Sequence, residues 1–233
     1  MEEPFVWFHA FRHLQPFVAD NPWVPSAGLV LITLLIFSLI ARRRLKSEEG
    51  IYPSATFGIS TLMEMILEGV IGLMDDIIGP RGRKFLPLIG SLALFIFFSN
   101  LMGLLPGFLP PTQSWNTTAA CAIVVFLTYH FFGFKENGIG YLKHFTGPVW
   151  YLAPLMFPIE LISHFVRPLS LSLRLLGNIT GDHLVIVIFL GIFPFIAPMP
   201  FILFGLLVSV IQTMIFILLS MVYISMATEH EGH

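Results

Sequence analysis

Arg174, Asn178 and Asp182 follow one another at intervals of four in SLSLRLLGNITGDHLVIVIF, an otherwise apolar run from Ser170 to Phe189. At about 100° per residue they share one helix face, and Glu160, His164 and Arg167 fall within the same ~80° stripe. On insertion scales an arginine at mid-membrane costs about 2.5–3.5 kcal/mol, so it needs a partner or water. Two readings stand for Arg174: an ion pair with Asp182 or Glu160 that fastens helices, or a permanent cation with a working role. A buried ion pair often stabilises no more than apolar packing, which favours the second.

A second stripe follows. Ser209, Gln212, Ser220 and Tyr223 share one sector of the next apolar segment, with Gly205 between them. Two polar stripes on neighbouring helices suggest a wet path. Asn178 and Gln212 also suit an interhelical glue role, and His164 and Arg167 equally suit snorkelling to an interface. Asn100 and His130 stand singly in other apolar runs and read as packing or polar-contact residues.

The elements that carry these residues follow from composition. The chain has 233 residues, 56% hydrophobic and 11% charged, with 24 Phe. Its mean hydropathy is +0.84. That leaves too little polar surface for a soluble globule, and the class is membrane protein. No Asp, Glu, Lys or Arg occurs from Leu184 to Thr228 or from Phe85 to Phe134. Continuous apolar runs, rather than short alternating segments, point to helices and away from a barrel.

A net charge of −2 gives no reason to expect nucleic acid, and the lone Cys121 excludes an internal disulfide. The first residues, MEEPFVWFHAF, are acidic where a signal peptide is basic, so they read as mature sequence.

Taken in order, the expected elements are an external segment over 1–24, a span over 25–41, an interfacial helix over 54–78, and spans over 85–105 and 117–134. Tilted helices over 151–193 and 201–228 complete the set. Arg42, Arg43, Arg44 and Lys46 mark the cytoplasmic end of the first span, as Arg81, Arg83 and Lys84 do for the second. In 54–78 the apolar residues fall three or four apart while Glu64, Glu68 and Asp75 share the opposite face, the pattern of a helix lying in the interface. A spanning helix there would place both glutamates in hydrocarbon.

Residues 151–193 would reach roughly 65 Å as one helix, about twice a hydrocarbon core. A break at GNITGD would leave only a stub too short to span, so a long tilted helix, bent at Pro168, is expected. The fold class is therefore an all-α membrane protein, with five crossing helices, one interfacial amphipathic helix, and the last two crossings as a long, strongly tilted hairpin. The whole chain forms one transmembrane domain, N-terminus outside and C-terminus inside.

At PIELISHFVRPLSLSLRLLGN, SNLMGLLPG and SVIQTMIFILLSMVYISMA the sequence resembles the a subunit of the rotary F-type ATP synthase, from the first span onward and most strongly after Pro158. The resemblance implies a non-catalytic stator subunit in a bacterial plasma (inner) membrane, with a c-subunit ring, peripheral-stalk b subunits, the remaining ATP synthase complex and the lipid bilayer as partners. It implies that Arg174 faces the carboxylate of the rotating ring, and that Glu160, Asn178, His183 and Gln212 line or support two offset half-channels. Many bacterial relatives pair a Glu at position 183 with a His on the last helix; here those positions hold His183 and Gly205, which leaves Asp182 and His183 on one helix as the relay. Glu160 would serve that same entry route as a carboxylate.

The physics is consistent with this. A guanidinium stays charged at any working pH, so a ring carboxylate near it loses its proton. Each proton moving down 100 mV supplies about 2.3 kcal/mol. The runner-up reading is a stand-alone ion channel or secondary transporter, but no internal repeat or paired broken helices are visible. There is no nucleotide-binding motif, so the chain makes no ATP itself. The reading calls for neither cofactor nor metal.

Overall fold

A computed structural model describes residues 23–45, 59–105, 107–142, 151, 153–192 and 198–228. Most of the N-terminal segment, the start of the expected interfacial helix, Lys143, part of the PFIAPMP turn and the C-terminal EHEGH lie outside these residues.

Six α-helices and no strand occur among the described residues. They are α1 (Trp23–Leu45), α2 (Ile59–Ile77), α3 (Leu86–Met102), α4 (Trp115–Asn137), α5 (Ala153–Ile192) and α6 (Pro198–Thr228), with short 3-10 turns at Pro80–Phe85, Pro111–Gln113 and Gly138–Leu142. Five are long and apolar enough to cross a bilayer. The exception is α2, which turns Glu64 and Glu68 outward and sets Met63, Val70 and Met74 inward.

The surface confirms the lipid reading. Leu35, Leu127, Phe131, Leu155 and Leu203 are all at least 60% exposed, an arrangement that water would not tolerate and hydrocarbon does. Between the helices, association rests on close packing rather than on the hydrophobic effect, because lipid is as apolar as the side chains. The core joins Ile89, Ile96, Val125, Leu175, Phe216 and Met221 from α3, α4, α5 and α6. Around it α5 lies against α4 and α6, while α6 also lies against α3 and α4.

Among the boundaries that differ from expectation by a few residues, two have clear reasons. Helix α6 begins at Pro198 rather than near Phe201, because a proline in a first turn lacks only an N–H that would be unpaired there anyway. Helix α4 runs through Lys135 and Glu136 to Asn137 and stops at Gly138, whose φ of 55° is readily available to glycine.

The long helix is unbroken. At 40 residues α5 reaches ~60 Å, so it must lean across the membrane. GNITGD lies inside it, and so do Pro158 and Pro168. A proline in a helix interior removes one backbone bond.

Charged contacts gather at one end of the bundle. Arg83 Nη2 lies 2.9 Å from Asp75 Oδ2, Lys84 pairs with Glu136, and Asn137 Nδ2 donates to the Ala227 carbonyl at 3.0 Å. The Arg83 guanidinium holds the Asp75 carboxyl below its ordinary value of 3.8. The opposite end carries the Pro111–Gln113 turn.

Candidate functional site

Helix α5 is oriented by Leu171, Leu175, Ile179 and Ile186, each no more than 4% exposed against its neighbours. That anchoring turns Ser170, Arg174, Gly177 and Gly181 outward. A methyl added at Gly177 or Gly181 would meet nothing within 4 Å, so the backbone there is bare. Arg174 forms no ion pair and no hydrogen bond among the described residues. Neither intrachain partner offered by the sequence reaches it, since Glu160 is engaged elsewhere and Asp182 makes no salt bridge.

One turn beyond Arg174, Asn178 Nδ2 donates to Gln212 Oε1 at 2.6 Å, joining α5 to α6. Gln212 is 2% exposed and its Nε2 is buried without a partner among the described residues. Other members of the α6 stripe also face inward: Ser209 and Ser220 are buried, and Ser220 Oγ donates to its own helix at the Phe216 carbonyl. That hydroxyl is already satisfied and needs no water.

Toward the end that carries the Pro111–Gln113 turn, α5 presents Asp182 and His183. Among the described residues, Asp182 Oδ2 and His183 Nδ1 are both buried without partners, and the His183 ring also meets the backbone of Gly103. The Pro111–Gln113 turn packs on α5 here. Within it Thr112 Oγ1 donates to Asn100 Oδ1 at 2.9 Å, both side chains fully buried, while Asn100 Nδ2 has no partner among the described residues. On α6, a methyl at Gly205 would come within 2.6 Å of Leu104 Cδ2. Leu104 thus fills the space beside Gly205.

Glu160 lies at the other end. It precedes Asp182 by about 33 Å along α5 at 1.5 Å per residue, so it does not join His183 in one pocket. Its Oε1 is 3.5 Å from His164 Nε2 and 3.8 Å from Arg167 Nη2. Arg167 sits 5.3 Å over the Tyr223 ring. His164 Nδ1 is 3.3 Å from the Tyr129 hydroxyl. Beside it, the His130 ring lies 5.2 Å from that of His164 at 34°, and His130 Nδ1 is 2.9 Å from the Tyr141 hydroxyl. Tyr141 reaches back because Gly138 turns the chain and Gly133 leaves room: a methyl at Gly133 would meet the Tyr141 ring at 2.6 Å.

The structure therefore joins Asn178 with Gln212, and Glu160 with His164 and Arg167, on either side of an unpaired Arg174. Asp182 and His183 form a separate cluster. Tyr129, His130 and Tyr141 carry no helical-phase signal linking them to α5, because their contacts run between different elements.

A family profile described as ATP synthase A chain matches residues 25–225. Over 239 residues, with both chains covered in full, the sequence is 45% identical to "ATP synthase subunit a" of Geobacter sulfurreducens. Over 237 residues it is 46% identical to the same-named protein of Geotalea daltonii, again across both full lengths. It is 52% identical over 204 residues to that of Trichlorobacter lovleyi, covering 88% of this chain and 85% of the relative.

Proposed function

The chain belongs to the ATP synthase A chain family, a non-catalytic, proton-translocating component of the synthase membrane sector, and on that premise we propose that Arg174 is the electrostatic gate between two proton half-channels. Its partner is a carboxylate on a rotating ring of c subunits, and b subunits of the peripheral stalk hold the chain still. The host membrane is the bacterial inner membrane, with the N-terminus outside and the C-terminus cytoplasmic. The charged end of the bundle is then the cytoplasmic one, as the basic clusters at Arg42 and Arg81 favour.

The observation that carries this is the outward Arg174, unpaired among the described residues, on a helix face bared by Gly177 and Gly181. A guanidinium with no anion beside it among the described residues is left to act on an acid brought from outside the chain. Near it, a ring carboxylate is held ionised. Arg174 therefore passes only deprotonated sites and blocks protons from leaking straight between the pockets. Protons enter by way of Asp182 and His183, load a carboxylate, and leave after the ring turns, at the side of Glu160. Asn178 and Gln212 hold α5 and α6 in register beside the gate.

The test is Arg174→Ala in vesicles containing the assembled synthase. Proton-driven ATP synthesis should vanish while passive proton leak rises. Retained synthesis with assembly intact would refute the reading.

A further inference from the structure

Two histidine rings lie 5.2 Å apart, tilted by 34°, in a helix interface where apolar side chains would suffice for packing. His130 comes from α4 and His164 from α5, and each has its Nδ1 beside a tyrosine hydroxyl, of Tyr141 and Tyr129 respectively. The other nitrogen of His164 faces the Glu160 carboxylate. Exposure falls inward along this series: the Glu160 side chain is 31% exposed, that of Arg167 19% and that of His164 9%.

We infer that His130 and His164 form a one-proton shuttle that carries protons between the gate and the Glu160 surface of the membrane sector. The inference rests on the reading of Arg174 above and adds residues to its exit side.

Imidazole is the side chain that takes up and releases protons near neutrality, at one nitrogen or the other. A tyrosine hydroxyl both donates and accepts hydrogen bonds, so it can hold a ring in place whichever nitrogen carries the proton. In a transfer step, His164 protonated on both nitrogens gives the Nε2 proton to a Glu160 oxygen and returns to neutral imidazole. Glu160 then releases it to water.

The surrounding charges limit the load to one proton. On α5, Glu160 favours a cation on His164 and Arg167 opposes it. On α4, a proton on His130 opposes a second on His164 at this ring separation. Among the described residues, Tyr129 on α4, Tyr141 on the 3-10 turn and Tyr223 on α6 are the other titratable groups beside the pair. A pair limited to one proton must pass it on before taking the next.

The test uses the assembled synthase in vesicles, driven by a potassium diffusion potential with equal pH on both sides, so that pH changes without changing the driving force. Wild-type flux should show one inflection with pH, from titration of the imidazole pair. His130→Gln with His164→Gln keeps polar side chains of similar reach but removes both titrations. We expect normal assembly, flux lower by on the order of tenfold, and no inflection. Tyr141→Phe should keep the inflection and move its midpoint.

A double variant that assembles and retains both rate and inflection overturns the shuttle. Should the double variant fail to assemble, an unchanged inflection in His130→Gln alone overturns it equally. Arg174→Ala separates the two readings: if that substitution uncouples the synthase while the glutamine variants behave as wild type, only the shuttle fails.

Discussion

Asn178 Nδ2 lies 2.6 Å from Gln212 Oε1, and this bond ties α5 to α6 one turn beyond Arg174. In a bilayer such an amide pair contributes about 0.6 kcal/mol, reaching about 1.7 at most. A double-mutant cycle of Asn178→Ala and Gln212→Ala, read by thermal unfolding in detergent, should give a coupling in that range. A coupling of zero would mean that the contact does not hold the helices.

Arg174→Lys keeps a charge but changes its character. A lysine in an apolar setting loses its proton more readily, whereas arginine does not. Vesicles carrying this variant should hold a proton gradient at low pH and leak as pH rises, while wild-type vesicles stay tight throughout. A pH-independent leak would count against a purely electrostatic gate.

Gly177 and Gly181 border open space within the chain, so Gly177→Leu should leave the isolated subunit folded. Its helix gains propensity, by roughly 1 kcal/mol for glycine replaced by a strong helix former. If a ring of helices rolls over this face, proton-driven synthesis should nevertheless collapse. Normal synthesis by Gly177→Leu would show that nothing approaches there.

Gly205→His would meet Leu104, whose Cδ2 lies 2.6 Å from the first added carbon. Overpacking of this kind costs about 1–3 kcal/mol. Adding Leu104→Ala should recover most of the lost thermal stability, because it vacates the same space. If the pair is no more stable than Gly205→His alone, the two positions do not compete.

Arg83 depresses the Asp75 carboxyl below 3.8, its ordinary value. A carboxyl whose folded value is lowered adds stability above the unfolded value and loses it as pH falls through the folded one. Asp75→Asn should therefore be less stable than wild type at neutral pH, and the gap should close on acidification below about 4. The pair is exposed, so the gap will be small and sensitive to salt.

Much of the architecture was legible because it follows from length and phase along a single helix. A stub after GNITGD could not span, so the continuous α5 was forced, and the four-residue spacing put Arg174 and Asn178 on neighbouring positions of one face. What could not be read was which ends meet. Glu160 shares a phase with Asp182, yet a 40-residue helix sets them at opposite ends of the bundle. His130 looked solitary because its partners lie on other elements: Tyr141 arrives by a glycine-dependent turn and His164 from α5. The start of α6 was misplaced because prolines were taken as turn residues where the first helical turn accommodates them.

The hollow at Gly133 has a consequence for descent as well as for shape. Since a single methyl there would strike the ring at position 141, the two sites cannot drift independently. Lineages that enlarge the first must shrink the second, and with it surrender the phenol that steadies His130. Co-variation between these columns, eight residues apart, would be the inherited trace of that bargain.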